Sequence, residues 1–519
     1  MHRHHISIKY DDCSRIRILR GGDFFMATIT VSNLTFGYED SYENVFENVS
    51  FSVDTNWKLG FIGRNGRGKT TFLRLLMGEF EYSGTISSSV NFDYFPFKVQ
   101  DKSKTSCEIA EMLYPNYEFW KLCKEISLLQ MDEEILFRPF NNLSNGEQTK
   151  ILLAILFLKE NNFLLIDEPT NHLDMDSRAV VSKYLNRKNG FILISHDRAF
   201  LDSCIDHVMS INRTNIEIQK GNYSSWWDNK ENKDNMERAQ NKKLIKEIER
   251  LDESLKRMAN WSNRTEASKH RISGQKDNKV DKGFVGHKSA KMMKRSISSQ
   301  NRKEKSVEEK GKLLKNIEIA DSLKISPIKH YQNKLINISN LSIIYDGKPI
   351  FKPLNFSVEN GDRVWLCGKN GCGKSSLIKL ILGKDIKFSG NLDIASNLKI
   401  SYVSQDTAHL SGNLTEYSKK FNIDESLFKA ILRKLDFSRE QFEQNIEDFS
   451  GGQKKKVLLA RSLCEQAHIY IWDEPLNFID VLSRIQIEDL ILKYEPTMIF
   501  VEHDQTFSKK IATKIIPLS

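Results

Sequence analysis

The chain has 519 residues, 39% of them hydrophobic and 28% charged, with a formal net charge of +9. That composition suits several globular domains and excludes a low-complexity or fibrous chain. The longest apolar run, Ile151 to Leu158, falls far short of the about 20 residues a membrane helix needs, and none of the seven cysteines forms a C-x-x-C pair, which excludes zinc and iron–sulfur frameworks and suits reduced thiols in a cytoplasmic protein.

Residues 1–25 are basic, carry histidines and lack an apolar segment, so a mis-started leader or a disordered tail is expected, with Met26 as the working start. A strand-like pattern, Ala27-Thr28-Ile29-Thr30-Val31, follows at once. Lys58 to Ile62 is a short apolar run that leads into a glycine loop, and Thr71 to Leu76 continues as a helix. Phe163 to Ile166 leads into Asp167, and Phe191 to Ile194 leads to His196. Short continuous apolar runs are what buried parallel strands require. Their alternation with helical stretches predicts an α/β fold with its functional loops at the strand ends.

The chain then repeats itself. Gly63-Arg64-Asn65-Gly66-Arg67-Gly68-Lys69-Thr70 returns as Gly368-Lys369-Asn370-Gly371-Cys372-Gly373-Lys374-Ser375. Leu143-Ser144-Asn145-Gly146-Glu147-Gln148 returns as Phe449-Ser450-Gly451-Gly452-Gln453-Lys454. Asp167-Glu168-Pro169 returns as Asp473-Glu474-Pro475, and Ser195-His196-Asp197 as Glu502-His503-Asp504. The four offsets are 305, 306, 306 and 307, so order and register are both kept. A duplicated domain is predicted, copy one over 26–223 and copy two over 335–519, with 224–334 as a linker between them.

Each copy carries G-x-x-x-x-G-K-[ST] between a strand and a helix, the context in which backbone N–H groups and a helix N-terminus cradle phosphate. Lys69 and Lys374 would neutralise the β/γ-phosphates, with Thr71 and Ser376 beside them, and Thr70 and Ser375 would ligate Mg²⁺. Asp167 and Asp473 end apolar strands, where a carboxylate can hold the Mg²⁺ shell. Glu168 and Glu474 come next and could orient or deprotonate an attacking water. His196 and His503 sit 29 and 30 residues past the aspartates, so a shared γ-phosphate contact is favoured over two unrelated structural histidines.

This set resembles the ABC ATPase superfamily. The resemblance implies that ATP is sandwiched between the copies, so that one chain forms an intramolecular dimer of ATPase domains. The phosphate loop of copy one (Gly63, Arg64, Asn65, Gly66, Gly68) would face Ser450, Gly451, Gly452 and Gln453. That of copy two (Gly368, Asn370, Gly371, Gly373) would face Ser144, Gly146 and Glu147. Tyr38 and Tyr345 lie where the superfamily stacks adenine, with core packing an equal alternative for both. Two departures stand out. Copy two has the superfamily's metal-shell glutamine as Gln405, whereas copy one has Phe97, so site one is expected to bind metal less tightly or turn over more slowly. Asn145 replaces the first signature glycine, with a modest effect expected because Asn tolerates left-handed angles.

The linker sets this chain apart. Leu244, Ile248, Leu251, Leu255 and Met258 form a heptad-like seam, and Met293, Ile297, Val307, Leu314 and Ile317 a weaker one. Two antiparallel helices are predicted, joined by a tip over 262–286. Residues 231–330 carry a net charge of +11 and residues 261–300 a net of +7, so the remainder of the chain is slightly negative. Trp261, His270 and Phe284 are interleaved with that charge. Contact with phosphate backbones and bases is favoured over a merely solvated hairpin.

Two ABC domains, a long charged linker and no membrane segment resemble the F subfamily of ABC proteins, which act on ribosomes. Asp54-Thr55-Asn56-Trp57-Lys58-Leu59-Gly60, Met293-Lys294-Arg295-Ser296 and Trp472-Asp473-Glu474-Pro475-Leu476-Asn477 are similar to its Lsa-type ribosomal protection branch. That resemblance implies contact with rRNA and P-site tRNA through the basic linker, and displacement of lincosamide, pleuromutilin or streptogramin A drugs. The rivals are a housekeeping translation factor of the same subfamily and the ATPase subunit of an ABC transporter, whose halves would be joined more closely. A DNA-repair ATPase is disfavoured by the missing zinc cysteines.

Overall fold

The computed structural model describes residues 27–38, 44–159, 162–171, 173–212, 215–272, 323–345 and 347–518, with the isolated helical, exposed positions Lys294, Ser298 and Arg302. The expected leader, the second linker seam, Phe284 and the distal part of the expected tip lie outside the described residues.

In copy one the strands are β1 (Thr28–Phe36), β2 (Phe46–Asp54), β3 (Lys58–Ile62), β4 (Ser83–Ser88), β5 (Asn91–Phe95), β6 (Asn162–Asp167), β7 (Phe191–Ile194), β8 (His207–Asn212) and β9 (Asn215–Lys220). The helices are α1 (Lys69–Leu76), α2 (Ser106–Leu113), α3 (Phe119–Leu128), α4 (Asn145–Leu156), α5 (Met175–Asn186) and α6 (Arg198–Cys204). Then α7 (Tyr223–Ile272) leaves the domain. Copy two repeats the plan with β10 (Lys334–Tyr345), β11 (Lys348–Pro349), β12 (Leu354–Glu359), β13 (Arg363–Cys367), β14 (Phe388–Ile394), β15 (Ile400–Val403), β16 (Ile469–Asp473), β17 (Met498–Val501) and β18 (Lys514–Pro517). Its helices are α8 (Lys374–Ile381), α9 (Leu414–Lys420), α10 (Glu425–Lys434), α11 (Gly451–Cys464), α12 (Val481–Tyr494) and α13 (Gln505–Ile511).

The central sheets run β5-β6-β7-β3-β8-β9 and β15-β16-β17-β13-β18. All pairs are parallel except the antiparallel hairpin of β8 and β9. The α/β expectation holds, and the three apolar runs read from the sequence coincide with β3, β6 and β7. Their residues are buried on both faces, β7 throughout, as covered parallel strands must be. Each copy also has a small antiparallel sheet, β2-β1-β4 and β11-β10-β12 with β14, of which the sequence reading had only the start. β1 alternates as half-buried strands do, with Ile29, Val31, Leu34 and Phe36 inward. These two layers hold α1 and α8, and the phosphate loops, between them.

The linker differs from expectation at both ends. α7 runs 50 residues and stays helical to Ile272, past the expected start of the tip at Ser262, because no Gly or Pro interrupts it before Gly274. Trp261 and His270 therefore fall on this helix. Leu244, Ile248 and Leu251 are only partly exposed while their neighbours are open, consistent with a seam awaiting a partner. At the far end Leu323 and Ile325 are buried in the core of copy two beside Leu410 and Tyr417. Copy two thus begins physically before the expected boundary at 335.

Candidate active sites

Each phosphate loop bridges a buried strand and a helix whose N-cap is a left-handed glycine, Gly68 at φ 91° and Gly373 at φ 97°. At Gly68 a Cβ would also meet Val45 at 2.4 Å, so the position requires glycine twice over. Inside the loop Lys69 Nζ donates to the carbonyls of Gly63 (2.6 Å) and Arg64 (3.1 Å) and to Asn65 Oδ1 (3.3 Å). Lys374 Nζ does the same to Gly368 (2.8 Å) and Lys369 (2.7 Å). Burial lowers the Lys69 pKa, opposed by Asp480, Glu168 and Asp167. Both ammonium groups are buried and held by neutral carbonyls, an arrangement suited to an incoming phosphate anion.

The acidic pairs end β6 and β16. Thr70 Oγ1 donates to Asp167 Oδ2 (2.8 Å), and Ser375 donates to Asp473, so each hydroxyl lies beside its carboxylate. Asp473 Oδ1 is buried without a partner among the described residues. Glu168 and Glu474 both sit at positive φ, 51° and 49°. Such backbone is costly for a non-glycine residue, and each is pinned by its own N–H, to Ile194 O (2.9 Å) and Val501 O (3.0 Å). His196 Nε2 lies 3.3 Å from Glu168 Oε1, and His503 Nε2 lies 3.3 Å from Glu474 Oε1.

The signature segments start helices. Ser144 caps α4 in a reciprocal box with Glu147: Ser144 N and Oγ donate to Glu147 Oε2 (2.8 and 2.7 Å), and Glu147 N donates back to Ser144 Oγ. Ser450 caps α11 with Gln453 in the same way. Each helix N-terminus, with its free N–H groups and partial positive charge, faces the phosphate loop of the other copy. One cavity of about 900 Å³ is lined by Asn65, Lys69 and Thr70 from copy one and by Ser450, Gly451, Gly452 and Gln453 from copy two. The second, of about 750 Å³, is lined by Asn370, Lys374 and Ser375 with Ser144, Gly146 and Glu147. Tyr38 and Tyr345 line these cavities at 45% and 49% exposure, which decides against core packing for both. Their hydroxyls bond Thr71 (2.7 Å) and Ser376 (3.3 Å), and the Tyr38 ring also meets Phe36 and Phe80 in T-shaped contacts.

A family profile described as ABC transporter matches residues 46–171 and 351–477, one span in each copy. The ribosome protection protein VmlR of Bacillus subtilis (strain 168) is 28% identical over 499 residues, covering 95% of this chain and 86% of its own length. The ATP-binding protein Uup of Buchnera aphidicola subsp. Acyrthosiphon pisum is 27% identical over 522 residues, covering 94% and 80%. Among solved structures, the complex of archaeal ribosomal stalk protein aP1 with the recycling factor aABCE1 matches at a TM-score of 0.59 and 18% identity, over 93% of this chain and 87% of that one, which speaks to the fold. The chain carries two ABC-type ATPase domains in tandem. Among its described residues no helix is long and apolar enough to cross a membrane.

The two sites of this tandem ABC ATPase are not copies in their detail. Glu474 accepts from Gln405 Nε2 (2.9 Å) and Asn477 Nδ2 (2.6 Å) as well as facing His503. Burial pushes its carboxyl up, but His503, Lys455 and Gln405 outweigh that and hold it below the usual value. Neither Glu168 oxygen has a side-chain hydrogen-bond partner among the described residues, and burial together with Asp167 outweighs Lys69, Arg484 and the His196 backbone to raise its pKa to about 8. Burial and Lys69 keep His196 neutral. Phe97 packs at the edge of the copy-one core rather than lining the cavity. Tyr94 lies there instead, its hydroxyl donating to Asp167 Oδ2 (2.9 Å). Asn145 lines both cavities inside an intact first turn of α4.

Sequence reasoning missed several residues at the sites. Asn477, the Asp436 that pairs with Arg64 across the copies (3.4 Å), and the Phe478 carbonyl that accepts from Asn65 Nδ2 (2.7 Å) all shape site one or site two. So does Asp480, fully buried against Lys456 (3.4 Å). A signal existed for two of them: Asn171 and Asp174 recur as Asn477 and Asp480 at the offset of 306 shared by the other motifs. The Mg²⁺ donors present are hydroxyl, carboxylate and amide oxygens, the hard set that ion prefers. Among the described residues no cluster of three or more His, Cys, Asp or Glu side chains could hold a metal alone.

Proposed function

We propose that this tandem ABC ATPase is of the ABC-F type and acts as a cytoplasmic ribosomal protection protein. Its linker enters the ribosome toward the P-site tRNA and the peptidyl-transferase centre and displaces lincosamide, pleuromutilin and streptogramin A drugs. The observation that carries the reading is α7, a 50-residue helix projecting from copy one. It opens a segment whose +11 net charge exceeds that of the whole chain. A basic segment joined to a slightly negative remainder of the chain suits a phosphate-rich partner. The likeness to a ribosome protection protein across 95% of this chain supports it.

In this reading ATP binds in both inter-copy cavities. Tyr38 and Tyr345 stack on adenine. Lys69 and Lys374 leave their carbonyl partners for the phosphates, while the loop N–H groups and the N-termini of α11 and α4 close around them. Thr70 with Asp167, and Ser375 with Asp473 and Gln405, would hold Mg²⁺. When bound, the ion supplies positive charge against the phosphate oxygens. Glu474, ionised and fixed by Gln405 and Asn477, orients the attacking water and takes its proton, while His503 contacts the γ-phosphate. Glu168 and His196 are placed for the same tasks, but Glu168 lacks the donors that hold it charged. Hydrolysis then lets the copies part and the linker withdraw.

The test is the inhibitory concentration of a lincosamide, a pleuromutilin and a macrolide on susceptible cells expressing the chain, beside Glu168→Gln/Glu474→Gln. Raised tolerance of the first two drugs, lost in the double variant, is the expected result. Unchanged tolerance with the protein still sedimenting with ribosomes would replace drug protection by a housekeeping translation role.

A further inference from the structure

Where α7 begins, three parts of the molecule meet. Tyr223 and Trp226 are buried in the core of copy one, in one cluster with Ile62, the last residue before phosphate loop one, and with Val481 of copy two. A narrow cleft there is walled by Gly63, Arg64 and Arg67, by Trp226 and Trp227, and by Val481 and Leu482. Val481 directly follows Asp480, the buried carboxylate facing Lys69 and Lys456 across site one. Trp226 is therefore wedged between the loop that holds the phosphates of site one and the segment of copy two that closes on it.

A charged clasp lies beside the wedge. Arg198, at the start of α6, reaches into copy two, where its guanidinium bonds Glu488 and lies 3.6 Å from Asp504. Glu488 is fully buried and also takes Lys510 Nζ (2.9 Å), while Arg484 bonds Asp504 (3.1 Å). Removing one partner from such a group leaves an uncompensated buried charge, so the clasp fixes one register between the copies. It is one-sided. At the duplication offset Arg198 corresponds to Gln505, and Glu488 to Ser182, so site two has no such pair. The Tyr223 hydroxyl and Arg198 Nε are buried at this junction without hydrogen-bond partners among the described residues. That is the mark of a contact not fully satisfied in this one arrangement.

We propose that Trp226 and Arg198 are positioning residues that couple nucleotide at site one, and not at site two, to the aim of the linker. At 1.5 Å per residue α7 is about 75 Å long, so a tilt of about 5° at its root moves its far end by roughly 6 Å. Closing copy two onto phosphate loop one presses Val481 and Leu482 on Trp226 and sets that tilt. Site two, which has the ordered base, turns over without steering the rod. The inference rests on reading the two loops as nucleotide sites and needs no ribosome.

The experiment uses the full chain with spin labels, carried by unnatural amino acids, at exposed Lys246 on α7 and exposed Glu443 in copy two. Pulsed electron resonance reads the distance with Mg²⁺ and a non-hydrolysable ATP analogue. The expected result is a distribution that shifts and narrows in the wild type and in Lys374→Ala, but not in Lys69→Ala. Trp226→Ala is expected to lose the response while still binding the analogue, and Trp226→Phe to restore most of it. Glu488→Gln serves as the second variant should Trp226→Ala not fold, and is expected to broaden the distribution. Equal loss in Lys69→Ala and Lys374→Ala, or an intact response in Trp226→Ala or Glu488→Gln, would overturn the proposal. A ribosome-free shift with no drug phenotype would keep this inference and sink the protection reading alone.

Discussion

The two candidate ATP sites share one backbone plan and differ in what surrounds the carboxylate proposed as the base. Both glutamates follow an aspartate at a strand end, and both sit at φ near 50° with a histidine 3.3 Å away. At site two three side chains reach Glu474, namely Gln405, Asn477 and His503. At site one the glutamine position is phenylalanine, and the buried Glu168 carboxylate oxygens have no side-chain hydrogen-bond partner among the described residues. Backbone strain thus places the carboxylate, and separate side chains decide whether it is charged. Copy one has kept the placement and lost the charge control, while gaining the cross-copy contacts of Arg64, Asn65 and Arg198. In the proposed reading the chain divides its labour, with a firmly clasped site and a chemically prepared one.

The hardest test of that division is removal of each base in turn. Glu474→Gln is expected to cut phosphate release by about 100-fold or more, the usual scale of a lost general base. Glu168→Gln alone should lower it several-fold at most, and the double variant should retain nucleotide without turnover. Equal losses from the two single variants would make the sites equivalent after all. Next in size, Gln405→Leu should convert site two toward site one. A hydrogen bond to a charged group contributes about 1.5–3 kcal/mol, so turnover should fall roughly ten- to a hundred-fold. Single-turnover kinetics of the Glu168→Gln background would read this change without interference from site one.

Much of this was legible in the chain, for identifiable reasons. The duplication fixed the glycine loops, the acidic pairs and the signature serines, because each uses a residue type that only one backbone geometry or one ligand permits. The β3, β6 and β7 runs were visible because covered parallel strands are apolar throughout. The antiparallel sheets were largely missed, since β1 and β10 alternate weakly and are interrupted by register shifts. The cross-copy contacts were missed because Asp436, Phe478 and Glu488 carry no local motif, and their partners lie hundreds of residues away. The linker's charge could be counted, but its root at Trp226 could be found only in three dimensions.

Titration offers a finer cut. With Glu474→Gln leaving only site one active, the carboxyl of Glu168, raised to about 8 by burial, is protonated below that pH and can take no proton from water. Its turnover should therefore climb as pH rises through about 8. With Glu168→Gln leaving site two, Glu474 is held below its usual value and already ionised at neutral pH. That profile should be flat from about 6 to 8 in this model of the base. Coincident profiles would remove the distinction in charge while leaving the difference in contacts.

The smallest expected effect concerns the part the two sites share. Ser144 and Ser450 each cap a helix through a reciprocal box. Replacing either by Ala should cost about 1 kcal/mol of local stability. In a purely structural role the two losses would be alike in melting and silent in turnover. If each helix N-terminus also closes over the opposite phosphate loop, the outcomes separate by partner. Ser450→Ala faces site one and should weaken nucleotide retention there with little change in steady-state release. Ser144→Ala faces site two and should lower release itself. A crossover of that kind, read in the same two assays, would place the signature helices and the prepared carboxylate in one site, because the serine that limits turnover would belong to copy one and the base it serves to copy two.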